Sequence, residues 1–423
     1  AVAIVCEYLP DKLIEDTTYI QLENSSFALS ILASNFYNNP SKKITLIGVT
    51  GTNGKTSVVY YLFHLFKKLN FKVGLLSTID QKIDNKSYPS THTTPNPIEL
   101  NHALSLMVKE GCDFCFMEVS SHAIDQNRIA GLCFDIAVFT NITRDHLDYH
   151  NTFNNYINVK KSFFDSLSRD AKSIVNIDDV YGSKMLIDTD SQQVFYSLKK
   201  NAHYKGSLIE NSITGLTMSI DQIDFSTELI GEFNAYNLLT TYSVARELGQ
   251  DKINILKNLS LLEPPPGRFN IMKSDKGSIG VVDYAHTPDA LKKVIVSISN
   301  FCTIQKDLIV VVGCGGDRDR GKRRMMGKIA YENSSLAIFT SDNPRSEDPN
   351  SIIEDMCQDL SVIAKNKVYK IANRAEAILF AVQSSSKNSV ILITGKGHEK
   401  FQEINGKKLA FDDVEILKNL FKT

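Results

Sequence analysis

Short apolar runs recur along this chain, separated by stretches whose apolar positions return every three or four residues. In the central part the runs fall at residues 44–49, 73–77, 114–119, 136–141 and 173–177. Runs of this length alternating with helical patterns predict a mostly parallel sheet covered by helices on both faces. Residues 201–232 change period, as in Gly215-Leu216-Thr217-Met218-Ser219-Ile220, and predict a small antiparallel addition of architectural role. The segment Glu263-Pro264-Pro265-Pro266-Gly267 fits neither a helix interior nor a central strand, because each proline removes a backbone donor and fixes φ. A domain boundary is placed there. Beyond it the alternation restarts, with strands expected at 279–283, 308–313, 336–342, 367–371 and 390–394 and a helix at 289–299.

The pattern gives an α/β fold: a central domain over 41–265 built on a mostly parallel sheet, and a second, doubly wound domain over 266–423. Residues 1–40 are too few for a domain of their own and read as the remnant of something longer, with 1–6 resembling a strand cut from its partners. Truncation is the expectation for this end of the chain.

Composition narrows the function mainly by exclusion. Lys and Arg number 47 against 48 Asp and Glu in 423 residues, so no global charge draws the chain to nucleic acid or to an anionic membrane. No apolar run approaches the roughly 18 residues of a membrane span, and a cytoplasmic protein is expected. The seven cysteines are odd in number and scattered, unlike a disulfide framework. Cys112 and Cys115 have the spacing of a zinc or redox pair, but they enter an apolar run with no second pair elsewhere, which favours packed thiols.

The candidate chemistry begins at Gly51-Thr52-Asn53-Gly54-Lys55-Thr56-Ser57, between the run 44–49 and a helical stretch at 57–69. Glycines there let backbone N–H groups face phosphate oxygens, Lys55 supplies positive charge, and Thr56 offers a hydroxyl to magnesium. ATP binding follows. The loop is shorter than the common phosphate-binding loop between its first glycine and Gly-Lys. Glu118, followed by Val119-Ser120-Ser121-His122, and His146, in Arg144-Asp145-His146-Leu147-Asp148-Tyr149-His150, each stand after a strand, where ligands gather in α/β sheets. A carboxylate beside phosphates suits magnesium, whereas an imidazole is a less common partner. Asp148 and His150 extend this cluster or else cap a helix and face solvent.

In the last domain, Gly313-Cys314-Gly315-Gly316-Asp317-Arg318, Asp342-Asn343-Pro344-Arg345 and Gly395-Lys396-Gly397-His398-Glu399 also follow strands. The first lacks the third spaced glycine of a dinucleotide fingerprint, so nicotinamide binding is not expected. Together these loops either line a pocket for a zwitterion or form solvated turns.

These motifs, with Thr93-Thr94-Pro95 and Asp283-Tyr284-Ala285-His286-Thr287-Pro288-Asp289, resemble in order the Mur ligases, and among them the MurE type. The resemblance runs from about residue 40 to the end. It implies a P-loop central domain followed by a Rossmann-like one, and a preceding uridine-binding domain of which 1–40 would be the remnant. The implied reaction is amide formation between UDP-N-acetylmuramoyl-L-alanyl-D-glutamate and meso-diaminopimelate in peptidoglycan synthesis, by a cytoplasmic monomer using ATP and magnesium through an acyl phosphate.

By the same resemblance, Glu118 and His146 bind magnesium with Thr56, and Lys160 becomes a carbamate. Without it, Lys160 reads as a solvated helix lysine like Lys161. Thr93, Thr94, Ser120, Gln126 and Arg128 would surround the muramoyl dipeptide. Asn237, Arg268, Asp283 and His286 would approach the nucleotide, with domain closure assembling the site. Arg318, Asp342, Asn343, Pro344, Arg345, Gly395 and Glu399 would hold the amino acid, and Arg345 would meet the far carboxylate that lysine lacks. His92 stands where the family commonly has asparagine. Rival readings are a lysine-adding ligase, a folylpolyglutamate synthase, and a nucleotide-binding interaction protein without chemistry.

Overall fold

A computed structural model of the chain describes residues 1–90, 92–212, 214–299, 308–360 and 367–422. Cys302 lies outside the described residues. The chain forms two compact bodies, one holding Ala1–Asn141, Ile157–Lys205 and Leu239–Asn258, the other Ile142–Tyr156, Gly206–Leu238 and Leu259–Thr423.

The first body is built on a sheet ordered Gln192–Ser197, Lys172–Asn176, Ile136–Phe139, Thr45–Thr50, Phe114–Glu118, Val73–Leu76, Asp80–Ile83 and Lys86–Pro89. The first six are parallel, and the last two close an antiparallel edge. Strand Thr45–Thr50 is central, and Leu46, Ile47 and Val49 are fully buried on alternating faces, as a two-sided sheet requires. Gly48 belongs to the same logic: a Cβ there would stand 2.7 Å from the Phe134 ring and 2.8 Å from Phe163. Its absence lets those rings pack edge to face at 4.9 Å. Helix Lys55–Lys68 buries Val58, Val59, Leu62 and Phe66. Val49 pairs with Glu118 on one side and Val138 on the other, so the carboxyl ends of three strands are level.

At the start of the chain, Ala3–Cys6 pairs in parallel with Thr18–Gln21, which corrects the expectation of a strand without partners. Helix Ser25–Phe36 follows, its first turn capped by the Asn24 side chain on the N–H of Phe27. Cys112 and Cys115 are buried, and burial raises both thiols, Cys112 to about 11. They are packed core thiols, as expected.

The second body carries the sheet Asn270–Lys273, Ile279–Asp283, Val390–Thr394, Leu308–Cys314, Leu336–Ser341 and Val368–Lys370, parallel after its first strand. Its central strands, Leu308–Cys314 and Val390–Thr394, are buried along their whole length because both faces are covered. Val310 and Val312 pack with Leu291, Ile295, Met326 and Ile353 from helices on one side. Ile309 and Val311 pack with Ile378, Ala381 and Leu417 on the other. Strands 279–283 and 390–394 match the expected bounds residue for residue. The antiparallel addition is present as well: from Gly206 onward, strand Tyr204–Ser212 pairs with Gly215–Ile220, which pairs with Ile223–Thr227. A hairpin of Phe401–Ile404 and Lys407–Ala410 was not anticipated.

Candidate functional site

In the first body the phosphate loop joins strand Thr45–Thr50 to helix Lys55–Lys68. Gly51 and Gly54 have φ of 144° and 90°, and a Cβ on Gly51 would fall 2.0 Å from the Thr140 hydroxyl. Thr140 and Asn141 explain why strand Ile136–Phe139 ends before the expected Asn141. Thr140 Oγ1 and Asn141 Nδ2 donate to the Asn53 carbonyl at 2.7 and 3.0 Å, while Asn141 accepts from the N–H of Thr52 and of Asn53. These two residues leave the sheet to fix the loop. Lys55 Nζ folds onto its own loop, 2.9 Å from the carbonyls of Gly51 and Thr52.

Glu118 is 1 % exposed. Its Oε2 accepts from Thr56 Oγ1 at 2.9 Å and its Oε1 from the Thr78 N–H at 2.7 Å. A desolvated carboxylate held against the hydroxyl of the phosphate loop is a hard-oxygen donor set, which fits magnesium. Lys160 is equally buried, on helix Phe153–Asp165, with Nζ 3.0 Å from the Gly51 carbonyl and 3.3 Å from Thr50 Oγ1. That placement overturns its residue-level reading as a solvated helix lysine. Lys161 lies nearer the surface but is not freely solvated, since its partly buried side chain pairs with Asp165 and Asp188.

The expected dipeptide residues form one hydrogen-bonded group. Thr94 Oγ1 donates to the Glu118 carbonyl at 2.7 Å and accepts from the Ser120 N–H at 3.1 Å. Arg128 donates to the Thr94 carbonyl and, through Nε and Nη2, to Gln126 Oε1. Thr93 Oγ1 accepts from Thr78 Oγ1 at 3.0 Å. Thr78 went unnoticed in the sequence, although it lies just past the strand Val73–Leu76, where the strand-end rule directs attention.

His146 belongs to the second body, so the expected pair with Glu118 is divided between the two. It sits at φ 53°, leading helix Leu147–His150, with Nε2 3.3 Å from Asp145 Oδ2. His150 is buried in that short helix, not solvent-facing. Asp145 was missed by motif reading. Burial alone would raise its carboxyl, but His146, His286 and Lys322 outweigh burial and hold it at about 2. Burial and Lys322 push His286 down to about 4. Asn237 Nδ2 donates to Asn234 Oδ1, and the Arg268 guanidinium lies 4.3 Å from the Tyr284 ring centroid. Asp283 accepts from the N–H of Phe269 and of Ala285 at 2.8 and 2.7 Å.

The three polar loops of this body do come together. Gly316 donates to the Asn343 carbonyl, and a Cβ on Gly395 would stand 2.3 Å from Asp342 Oδ2. Fully buried Lys396, unassigned in the sequence, donates to Asn343 Oδ1 and to Glu399 Oε2, both at 2.9 Å. Asn343 Nδ2 reaches the same Glu399 oxygen at 2.8 Å. Arg318 is exposed on the neighbouring loop. Beneath them Arg374 and Asp413 form a fully buried bidentate pair, and Arg374 also donates to the carbonyls of Ser341 and Thr394 at two strand ends.

Arg345 carries a partner of its own. Its Nε is 3.2 Å from Glu403 Oε2, and its Nη1 donates to the Gly316 carbonyl at 2.6 Å. A resident carboxylate therefore already faces the guanidinium expected to meet the far carboxylate of the amino acid. Glu403 arrives on the unanticipated hairpin, and no local motif marks it.

Residues 49–245 match the Mur ligase middle domain, and 267–397 match the Mur ligase glutamate ligase domain. The chain is 49 % identical to the UDP-N-acetylmuramoyl-L-alanyl-D-glutamate–2,6-diaminopimelate ligase of Cytophaga hutchinsonii, covering all of this chain and 87 % of the relative. It is 46 % identical to the ligase of the same name from Bacteroides fragilis, with the same coverage. A solved structure of that name superposes with TM-score 0.66 at 32 % identity, over 99 % of this chain and 86 % of the other. Mycobacterium tuberculosis folylpolyglutamate synthase superposes at 0.70 with 17 % identity, over 89 % of this chain and 94 % of the other, which is a likeness of fold alone.

Proposed function

The chain belongs to the Mur ligase family, and from that premise we propose that it is an ATP-dependent ligase joining meso-diaminopimelate to UDP-N-acetylmuramoyl-L-alanyl-D-glutamate in peptidoglycan synthesis. The observation that carries the chemistry is the buried Glu118 carboxylate locked to Thr56 of the phosphate loop. The substrate identity is supported by relatives of that name along the whole chain.

In this reading the N–H groups of residues 51–57 and the Lys55 ammonium receive the triphosphate. Thr56, Glu118, His146 and Lys160 as a carbamate would hold magnesium, which neutralises charge during phosphoryl transfer. A carbamate converts the Lys160 cation into an anion, removing its repulsion of a metal. The terminal carboxylate of the dipeptide, held by Thr93, Thr94, Ser120, Gln126 and Arg128, takes the γ-phosphoryl group to give an acyl phosphate and ADP. The amine of diaminopimelate then attacks the acyl carbon, and the tetrahedral adduct expels phosphate and loses a proton to leave the amide. Arg345, Asn343, Asp342, Arg318, Gly395 and Glu399 orient the amino acid, while Asn237, Arg268, Asp283 and His286 serve the nucleotide.

The reading keeps the three-part division at about residues 40 and 265, and a cytoplasmic monomer. No helix among the described residues is long and apolar enough to cross a membrane. Phosphate release should require ATP, magnesium, the muramoyl dipeptide and diaminopimelate together. Tight ATP binding with no release from the complete mixture would instead favour a non-catalytic nucleotide-binding protein.

A further inference from the structure

Resting on that reading, we propose that Glu403 is a placeholder carboxylate, occupying Arg345 when the amino acid is absent and exchanging with the distal carboxylate of diaminopimelate when it binds. The geometry around the pair is asymmetric. The Arg345 backbone is fixed by the hairpin, its N–H donating to the Glu403 carbonyl at 3.1 Å and its carbonyl accepting from Asn405 at 2.8 Å. These bonds hold Arg345 at φ 52°, a region non-glycine residues seldom occupy. The Glu403 N–H donates to Asn343 Oδ1, which ties the same strand to the Lys396 and Glu399 cluster. The backbones are therefore tightly registered.

The side chains are joined more loosely. The Arg345 Nε–Glu403 Oε2 approach is 3.2 Å, and the side chains are 24 % and 31 % exposed. Among the described residues, no protein acceptor engages Nη2. A single half-exposed ion contact contributes little, whereas a carboxylate taking Nε and Nη2 together gains two parallel charge-assisted bonds. The bidentate ligand wins the exchange, and the displaced Glu403 rotates into water at small cost.

This exchange has two consequences. Diaminopimelate must displace Glu403, so its affinity is lower than an open guanidinium would give. Lysine has no distal carboxylate and leaves the resident pair intact, so it escapes the penalty of stranding Arg345. Removing the resident charge should therefore improve diaminopimelate and widen its advantage over lysine.

The test compares wild type with Glu403→Gln and Glu403→Ala, measuring KM for diaminopimelate and kcat/KM for both amino acids by phosphate release. Thermal melts verify folding. In both variants KM for diaminopimelate should fall about two- to fivefold, the range an exposed ion pair supplies, and the diaminopimelate-to-lysine ratio should rise. An unchanged or raised KM in both variants, with wild type still preferring diaminopimelate, would overturn the placeholder and leave Glu403 as a group that orients Arg345. A wild type with no preference would overturn the proposed function and this inference with it.

Discussion

Glu118 and Glu403 are both carboxylates at the carboxyl-end side of a sheet, yet the two bodies treat them in opposite ways. Glu118 is 1 % exposed, and its two oxygens take one hydroxyl and one backbone N–H from separate elements. Glu403 has a 31 % exposed side chain, and its Oε2 lies 3.2 Å from Arg345 Nε. A site that stabilises charge during reaction gains from groups that need no reorganisation. A site that admits and releases a zwitterion gains from contacts that can be traded.

The contrast can be broken in four ways, and the largest effect concerns the foundation of the second body. Arg374→Met would leave Asp413 as a buried, unpartnered charge, and unfolding by urea should show a loss of about 3–5 kcal/mol. A loss below about 1 kcal/mol would mean that water or another cation reaches Asp413. Next, Lys55→Ala in the preorganised site should lower kcat by about 10²–10³-fold, the scale on which charge-stabilising donors act. A change confined to KM for ATP would assign Lys55 to uniform binding instead.

Arg345→Ala should raise KM for diaminopimelate by roughly 10- to 100-fold through loss of a charged hydrogen bond, with KM for ATP unmoved. Equal losses in both would place Arg345 in a shared structural role. The smallest effect is on pH dependence. Burial lowers His286 to about 4 and His398 to about 3 in the second body, and His64 to about 4 in the first. All three bind protons more readily when unfolded, near pH 6.5, so their contribution is complete above that value and is lost as pH falls toward 4 and 3. Asp145, held at about 2, adds a further loss between about pH 4 and 2. Urea midpoints should decline steadily below pH 6.5, and a flat profile from pH 7 to 4.5 would contradict these environments.

The same contrast explains what the sequence revealed. Gly51 to Ser57 was legible because a phosphate loop is contiguous, flanked by a strand and a helix whose periods announce themselves. Glu118 was legible because strand ends collect ligands, and Thr78 obeys the same rule but carries no motif. Lys160 offered nothing locally, since its burial depends on how helix Phe153–Asp165 lies against Gly51 and Thr50. Only the resemblance singled it out. Strands 279–283 and 390–394 were readable to the residue because both of their faces are apolar. Glu403 was not readable, because its meeting with Arg345 depends on the packing of a hairpin whose exposed second strand, Lys407–Ala410, has no clear period.

The proposed activity turns on which amino acid this chain joins to the dipeptide. Offered equal concentrations of meso-diaminopimelate and L-lysine with ATP, magnesium and UDP-N-acetylmuramoyl-L-alanyl-D-glutamate, the enzyme should yield product whose mass carries diaminopimelate. A product carrying lysine in equal or greater amount would contradict it.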